Sequence, residues 1–571
     1  MHLIFWVILA SCSSPETPTT ADTSVETIPA PETSDEPKKN STVQAIEEAD
    51  SKVASESARV ADPLFGKAAL FDRYLQGNLE LEDAQRLIKG CHENPADNLF
   101  CFSVTNYDLL EEKWRHRPRE QGPAKTGRQS VRPRFKKKKL VNWTELRWST
   151  VAANLKGMGS VSPLELGKVK AAALAEKKCP NNAAIAVAAT LEDQLPDRID
   201  IEEIAKLFEK GADCITNNPA DRENLLTRAG LFYYAKKDYR AAAKVLWRSA
   251  STEEAFVARP LYWLYRARQE LKESKKATQA LDLLKARYPF SFHTLVAMTS
   301  NHKDPGEILS HDQPVAIRRS QKEPSVNSLI EQVEVLHRLG FDISAARVLD
   351  WAISDFSDVE PELKVYLAEL KKEQGDYKSK ITILSDILYK YPSLISRKTM
   401  ELYFPKVYFP IFEKNPSGLD PYLLLAIARR ESAFNPRAVS AAKARGLLQV
   451  MPATGKRMGS RSKAALLDPE NNVEVGSKYV YELLKKMNGQ IHMALAAYNA
   501  GPQKLNSWTR RYETAVGEPI LFIDLIPYRE TREYVASVLR NYYWYRRIHQ
   551  NDDSMNAQRL LELANITKDS P

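Results

Sequence analysis

One glutamate of this sequence stands where a carboxyl group could act as an acid. The segment that starts at Asp420 reads as a helix start, because the aspartate can cap free backbone amides and the proline after it needs no N–H partner. The side chains that then share one helix face, at the i, i+3, i+4, i+7 spacing, are Leu424, Ile427, Ala428 and Glu431. The sequence thus predicts a carboxyl group at the end of an apolar stripe.

Two roles are open for Glu431 on this evidence. Burial without a partner raises the pKa of a carboxyl group, so that it stays protonated near neutral pH and can donate a proton to a leaving oxygen. A buried glutamate can also pair with an arginine and hold helices together. The flanking sequence favours the first role, that of a general acid.

Several motifs around Glu431 carry a family resemblance. They are ARRESAFNP (Ala428 to Pro436), Ser440, GLLQVMP (Gly446 to Pro452), AAYNAGP (Ala496 to Pro502) and IPYRETREYV (Ile526 to Val535). In order and spacing they resemble the catalytic domain of soluble-type lytic transglycosylases, goose-lysozyme-like enzymes that cleave peptidoglycan. The resemblance covers roughly residues 400 to 550. It departs from the family at Lys443-Ala444-Arg445, where a small glycine-containing step is usual.

The resemblance implies a sugar cleft beside the catalytic Glu431. The residues that it assigns to substrate binding are Ser440, Gln449, Met451, Tyr498, Asn499 and Asp524. It implies that Gln449 holds the N-acetyl group, that Met451 lies against a sugar face, and that Tyr498 neighbours the acid. Ordinary turn chemistry for Ser440 and Gln449, and a core position for Tyr498, are the alternatives.

The last motif offers further candidates. Asp524 stands where relatives usually have a glutamate that contributes to the cleft. We expect Glu530 and Arg532 to form a structural pair and Tyr534 to pack in the core.

The motifs deliver one acid and no well-placed second carboxylate, whereas most glycosidases use two. A single residue suffices if the sugar supplies the nucleophile. Glu431 would protonate the oxygen between MurNAc and GlcNAc, and then remove the proton of the MurNAc 6-hydroxyl as it closes a 1,6-anhydro ring. The predicted activity is therefore that of a peptidoglycan lytic transglycosylase, a carbon–oxygen lyase.

Two other functions stay open at this point. A hydrolytic muramidase on the same fold would leave a reducing sugar end. A lipid-tethered wall-binding scaffold would hold glycan without cutting it.

The chain, 571 residues long, is predicted to be mainly α. Residues 61–400 hold helix after helix with a recurring polar turn, as at Asp238-Tyr239 and Asp376-Tyr377, which is typical of an α-superhelical (solenoid) domain. This solenoid could also bind wall-synthesis or cell-envelope proteins. Residues 401–571 are predicted to form a lysozyme-like α+β, mostly helical catalytic domain.

The N-terminus is predicted to target the chain for export. Residues 1–12 resemble a lipoprotein signal whose LASC sequence ends at Cys12, the predicted lipidation site, and Ser13 would permit sorting to the outer membrane. An ordinary secretory signal or a misplaced start codon is the alternative. Residues 13–60 are poor in large apolar side chains and are predicted to be a disordered tether. We expect a periplasmic location, on the outer membrane if the chain is lipidated.

Four cysteines remain besides Cys12. Their order suggests that Cys91 pairs with Cys101 and Cys179 with Cys214, although four buried thiols or another pairing fit as well. No CxxC or Cys/His ligand spacing occurs, so we predict no metal and no cofactor.

Residues 113–140 form a strongly basic insertion, and the whole chain has a net charge of +9. Such a run can mark nucleic acid. In an exported chain we predict instead an exposed loop attracted to anionic lipid headgroups or to the acidic wall polymer, and no nucleic-acid partner. The predicted partners are peptidoglycan glycan strands and a membrane reached through Cys12.

Overall fold

The structure is a computed structural model that describes residues 62–76, 81–94, 98–104, 188–189, 191–192, 200–216, 218–251, 258–310, 317–356 and 358–563. The predicted export signal with Cys12, the tether, the basic insertion 113–140 and Cys179 lie outside these residues.

All regular secondary structure in the described ranges is helical, so the predicted mainly α class is confirmed. The helices of the first half are α1 (Phe65–Leu75), α2 (Leu81–Glu93), α3 (Ile201–Asp213), α4 (Pro219–Ala235), α5 (Tyr239–Ala250), α6 (Ala258–Glu270), α7 (Ser274–Arg287) and α8 (Phe292–Ser300). Those that follow are α9 (Ser325–Arg338), α10 (Asp342–Asp355), α11 (Pro361–Glu373), α12 (Tyr377–Lys390), α13 (Arg397–Tyr403) and α14 (Phe409–Glu413). The C-terminal helices are α15 (Pro421–Glu431), α16 (Pro452–Arg457), α17 (Pro469–Lys486), α18 (Ile491–Ala500), α19 (Pro502–Arg511), α20 (Pro519–Leu525), α21 (Arg529–His549) and α22 (Ala557–Leu561).

Short 3-10 helices and isolated bridges complete the described structure. The 3-10 helices are Pro305–Ser310, Pro392–Leu394, Ala465–Leu467 and Glu513–Ala515. Antiparallel bridges pair Arg445 with both Val439 and Val450, and Gln490 with Glu562. The β component expected in the C-terminal domain is therefore limited, in the described residues, to these bridges.

The chain divides into two compact units. Unit 1 comprises Met1–Ala124 and Ile317–Leu363, and unit 2 comprises Lys125–Ala316 and Lys364–Pro571. The boundary near residue 400 remains a prediction of the sequence analysis.

Unit 1 includes helices α1, α2, α9 and α10. A disulfide joins Cys91 to Cys101, one of the pairs suggested by the order of the cysteines. Beside it the rings of Phe71 and Phe100 stack with their centroids 4.7 Å apart. In unit 2, Cys214 is also disulfide-bonded.

In unit 2, helices α3 to α7 pack each against the next along the chain. Asp238 caps α5 through the backbone N–H of Ala241 at 3.0 Å, and Asp376 caps α12 through that of Ser379 at 3.0 Å. The residue before each of these two aspartates has a positive φ, which is 66° at Lys237 and 72° at Gly375. The recurring polar turn in the sequence is thus one recurring helix start.

The C-terminal part of unit 2 is built around two helices. Helix α15 packs along α21, and α18 packs against α21 as well. None of the helices in the described ranges combines the length and the hydropathy that a bilayer crossing requires.

Candidate active site

Helix α15 ends on Glu431 and is fixed at its other end by Asp420. The Asp420 carboxylate accepts a hydrogen bond from the backbone N–H of Tyr422 at 2.9 Å and another from the Tyr542 hydroxyl of α21 at 2.8 Å. The residues from Tyr422 to Arg429 are all buried. The capped, buried helix therefore holds the glutamate at a defined place.

The turn after Glu431 has an unusual backbone. Ala433 and Phe434 have φ of 48° and 68°, in the left-handed region that side chains other than glycine rarely adopt. Phe434 is buried, and its ring meets that of Tyr377 edge-on with centroids 6.0 Å apart. The Ser432 hydroxyl donates to the carbonyl of Leu447 at 2.8 Å. Packing and hydrogen bonding thus keep the chain in a strained turn directly beside the carboxyl group.

The electrostatics of Glu431 fit an acid. Burial raises the pKa of its carboxyl group to about 7, against opposing effects of the Tyr534 hydroxyl and the Arg430 charge, while Glu530 adds to the increase. Among the described residues Glu431 forms no ion pair, in contrast to the structural alternative of a glutamate paired with an arginine. A carboxyl group with this pKa is substantially protonated near neutral pH.

Two tyrosines lie beside the acid. Burial and then the charge of Glu431 raise the pKa of Tyr498 and of Tyr534 well above the usual value. The Tyr498 hydroxyl donates to the carbonyl of Leu448 at 2.6 Å. The Tyr534 hydroxyl is close enough to lower the pKa of Glu431, although within the described part of the chain it forms no well-aligned hydrogen bond.

Tyr534 packs in the core as expected, but its position beside Glu431 was not predicted from the sequence. A signal was present, because Tyr534 lies in the IPYRETREYV motif one helical turn after Thr531. Thr531 reaches the site too: its hydroxyl donates to Oδ1 of Asn499 at 2.6 Å. This bond turns the Asn499 amide so that its Nδ2 group faces away from Thr531.

Gln449 takes part in the turn chemistry considered for it. Its Nε2 group donates to the carbonyls of Ala438 and Gly446 at 3.0 and 2.9 Å, which orients the amide. Its φ is 47°. The loop thus uses the Gln449 side chain for its own shape, and substrate binding by Gln449 stays a prediction.

The loop that carries Gln449 requires glycine at position 446. Gly446 has a φ of 76°, and a Cβ atom there would overlap the carbonyl oxygen of Leu466 and the side-chain amide of Asn472. No other residue type fits this approach without a shift of the backbone.

Asn472, which the sequence analysis did not single out, clamps this loop. Its Oδ1 atom accepts from the backbone N–H of Leu448 at 2.8 Å, and its Nδ2 group donates to the carbonyls of Arg445 and Leu466, both at 2.8 Å. The side chain is fully buried. The sequence does contain a signal for this role. Asn472 lies in the first turn of a helix capped by Asp468, where a polar side chain can reach a neighbouring loop.

Ser440 and Met451 lie on the same loop. The Ser440 hydroxyl accepts from the backbone N–H of Ala444 at 3.0 Å, which is turn chemistry. Met451 is 44% exposed, and its contact with a sugar face stays a prediction. Lys443 occupies the position of the departure from the family with a φ of 70°.

Asp524 lies elsewhere. Its side chain is 1% exposed and accepts hydrogen bonds from the indole N–H of Trp263 at 2.6 Å and from His293 at 2.8 Å, with Arg259 at 3.3 Å. Although burial opposes ionisation, His293, Arg259 and Trp263 lower the pKa of Asp524 to about 2. The carboxylate is engaged with helices α6 and α8, so the structure corrects the expectation that it lines the cleft.

The expected pair of Glu530 and Arg532 is not formed either. Arg532 is buried and donates to the carbonyl of Ile526 at 2.8 Å and to Asn224 at 3.0 Å, while Glu530 is exposed. Within the described ranges no group of three or more His, Cys, Asp or Glu side chains could hold a metal ion.

Comparison with known proteins finds similarity to one family in the part of the chain that includes Glu431. Residues 410–520 match the family model described as Transglycosylase SLT domain. The Soluble lytic murein transglycosylase of Escherichia coli (strain K12) is 35% identical over 156 residues, which cover 26% of this chain and 24% of that protein. The Putative soluble lytic murein transglycosylase of Haemophilus influenzae is 29% identical over 307 residues, or 51% of this chain and 47% of that protein. The matches thus span about a quarter to about half of the length of these curated relatives.

Solved structures share the fold. The lytic transglycosylase Slt from Pseudomonas aeruginosa, solved as an inactive mutant, has a TM-score of 0.50 at 17% identity, over 91% of this chain and 82% of that one. A complex of the 70-kDa soluble lytic transglycosylase with bulgecin A has a TM-score of 0.50 at 18% identity, over 90% and 97%. At these identities the likeness shows the fold alone. The similarity to the family described as Transglycosylase SLT domain is therefore shown for residues 410–520 of the chain.

Proposed function

We propose that this protein is a peptidoglycan lytic transglycosylase that cleaves the β-1,4 bond between MurNAc and GlcNAc and leaves a 1,6-anhydro-MurNAc end. The observation that carries the proposal is the partly buried Glu431, with a pKa of about 7 and no ion pair among the described residues. The names of its curated relatives, lytic murein transglycosylases, support the same reaction.

The reaction needs one side chain in two protonation states. Protonated Glu431 donates its proton to the glycosidic oxygen as the C1–O bond breaks and GlcNAc leaves. The acetamido oxygen of MurNAc shelters the cationic C1. The ionised Glu431 then removes the proton of the MurNAc 6-hydroxyl, whose oxygen bonds to C1, so that the proton returns to Glu431 and no water is consumed.

The surroundings of Glu431 suit this cycle. In the described part of the chain, the other carboxyl group that affects the pKa of Glu431 is Glu530, which is exposed. A two-carboxylate hydrolysis would need a second, well-placed group to activate water. Tyr534 would steady the ionised form of Glu431 between the two steps, because its hydroxyl lowers the pKa. Gln449 and Asn499 would hold the sugar through their amide groups.

Mass spectrometry of purified peptidoglycan after incubation with the protein tests this function. The expected products are anhydro-muropeptides that are absent with a Glu431→Gln variant. Lys398→Glu, an exposed change outside the site, is the matched control and should give the wild-type products. Reducing muropeptides would replace the proposal with a hydrolytic muramidase. Binding of glycan without any product would leave the wall-binding scaffold.

The location follows from the substrate and is proposed with it. We infer a periplasmic site of action, with Cys12 as the lipid anchor and envelope proteins as partners of the helical part. Metabolic labelling with a fatty acid tests the anchor, since a Cys12→Ala variant should lose the label. Retention of the label by this variant would exclude lipidation at Cys12.

A further inference from the structure

Three arginines meet three consecutive backbone carbonyls where α20 ends. The carbonyls belong to residues 524–526, which we call the 524–526 segment. Each accepts a hydrogen bond from a different guanidinium group. The three bonds run from Arg259 to Asp524 at 3.1 Å, from Arg228 to Leu525 at 3.1 Å and from Arg532 to Ile526 at 2.8 Å.

Two of these arginines come from distant helices of the first half of the chain. Arg228 lies on α4, 297 residues before its partner, and Arg259 lies on α6, 265 residues before its partner. The last carbonyls of a helix have no N–H partner within the helix, and they form the negative end of its dipole. With side chains 6% and 12% exposed, the two arginines therefore satisfy these carbonyls from within the protein.

The arrangement has an electrostatic cost. Burial and then the charges of Arg259 and Arg228 lower the pKa of the Arg532 guanidinium well below its usual value. Arg228 also pairs with the buried Glu192. Well-packed apolar side chains of similar size often replace such buried charges without loss of stability. The clustered arginines thus suggest a role that exceeds packing.

The 524–526 segment leads directly into the active site. The next helix, α21, starts three residues after it, at Arg529. In the first turns of α21, the Thr531 hydroxyl donates to Asn499 at 2.6 Å. One turn later the Tyr534 hydroxyl lies close enough to Glu431 to lower the pKa of its carboxyl group. A shift of the segment would therefore move both side chains.

We propose that Arg228 and Arg259 are positioning residues for the reaction, which hold the 524–526 segment and thereby place Tyr534 beside Glu431. This inference rests on the proposed function. It makes helices α4 and α6 part of the catalytic apparatus, although neither arginine touches the reacting atoms. The competing view is that the packing of α21 against α15 and α18 fixes Tyr534 by itself, and that the arginines only add stability.

The pH dependence of the reaction distinguishes these views. In Arg259→Gln we expect kcat for anhydro-muropeptide release to fall roughly tenfold, because the groups around the acid lose their alignment. The pH at which kcat/KM declines should rise by about 0.5 to 1 unit, because the Tyr534 hydroxyl no longer lowers the pKa of Glu431. KM should stay within about twofold of the wild type.

The other groups that face Glu431 leave the direction of this shift unchanged. Arg430 is on the helix of Glu431 itself, and Tyr498 is on α18. Glu530 moves with α21, but its effect on the pKa of Glu431 is smaller than that of Tyr534 and of opposite sign. The expected net change is therefore an increase.

A double-mutant cycle assigns the shift to Tyr534. Tyr534→Phe alone should raise the pH limit as Arg259→Gln does, and Arg259→Gln added to it should raise it no further. Arg259→Lys keeps a cationic donor for the Asp524 carbonyl and should stay closer to the wild type in kcat and pH limit.

Two more variants guard against effects of stability alone. Arg228→Met with Glu192→Gln removes the bond to Leu525 without leaving a buried charge unpaired, and should reproduce the effects of Arg259→Gln. Arg248→Gln on α5 is the matched control, because it breaks ion pairs with Glu209 and Asp213 away from the segment. It should keep the wild-type kcat and pH limit. All rates are measured well below the melting temperature of each variant.

The outcomes separate the two proposals. Reduced stability with wild-type kcat and pH limit, in both the Arg259 and the Arg228 variants, would overturn the positioning role while the proposed function stands. A further rise of the pH limit in the Tyr534→Phe background would also overturn it, since the arginines would then act by another route. Absence of anhydro products from the wild-type protein would overturn the function itself.

Discussion

The hydroxyl of Tyr498 donates a hydrogen bond of 2.6 Å to the backbone carbonyl of Leu448, 50 residues earlier in the chain. This bond ties the end of α18 to the loop that presents Gln449. It also commits the phenolic proton to a carbonyl, so that Tyr498 does not donate to Glu431. Tyr498 therefore acts as a positioning residue for the loop, next to the acid.

Tyr498→Phe should weaken catalysis through the loop. We expect a loss of about 1 kcal/mol in the free energy of unfolding, because one buried hydrogen bond is removed. Because Gln449 would be held less firmly, kcat should fall roughly tenfold, with little change in the pH dependence of the reaction. Tyr391→Phe, at an exposed tyrosine, is the control. Wild-type kcat in Tyr498→Phe would show that the hydroxyl does not position the loop.

Glu431 should give the reaction a pH limit near neutrality. The first step needs the protonated carboxyl group, and its pKa is about 7. We therefore expect kcat/KM to decrease as the pH rises through about 7. Rates of anhydro-product release measured between pH 5 and pH 9 check this. A rate that stays constant across this range would exclude Glu431 as a general acid with a pKa of about 7.

The carboxyl group of Glu431 should also make the free energy of unfolding depend on pH. Its pKa is raised in the folded protein from 4.5 to about 7, so folding loses free energy as the pH rises from 4.5, and the loss is complete above 7. Glu431→Gln should match the wild type at pH 4 and exceed it by up to about 3 kcal/mol at pH 8. Denaturant unfolding at both values measures the difference. Equal stability at pH 8 would mean that the carboxyl group is not penalised by burial.

Asp524→Asn should affect stability and not sugar binding. The variant leaves His293 and Arg259 without their buried carboxylate, so the free energy of unfolding should fall by about 3 kcal/mol near neutral pH. Because the pKa of Asp524 is depressed to about 2, this contribution is present above pH 3.8 and is lost as the pH falls through about 2. Asp282→Asn, at an exposed aspartate paired only with Lys285, should cost less than about 0.5 kcal/mol.

Kinetics distinguish the two views of Asp524. Well below the melting temperature, KM of Asp524→Asn should stay within about twofold of the wild type, because the side chain is buried away from substrate. A large increase in KM with unchanged stability would restore the sugar-binding role that the sequence suggested.

Two glycines with positive φ offer a matched pair. Gly446→Ala should destabilise the fold by about 3 kcal/mol or more and abolish activity. The new Cβ atom would overlap Leu466 and Asn472, and alanine would also be strained at this positive φ. Gly418→Ala, with a φ of 61° and open space around it, should cost only about 1 kcal/mol and keep activity. Thermal unfolding and product release measure both. Equal costs would mean that backbone strain alone accounts for Gly446.

Features that depend on near neighbours in the chain were predictable. The helix that ends at Glu431 follows from its spacing and from Asp420, and the recurring helix starts follow from Asp238 and Asp376. The place of Gly446 in a loop of unusual backbone followed from its residue type. Local sequence rules decide these features because each involves contacts within about four residues.

By itself, then, the sequence determined the helical class, the helix that ends at Glu431 and the loop that follows it. The tertiary structure decided where the other polar side chains go. Asp524 meets Trp263 across 261 residues, Asn472 meets Leu448 across 24, and Tyr534 comes to Glu431 from another helix. A buried polar group must find a partner wherever packing supplies one, and only the folded chain fixes which partner is within reach.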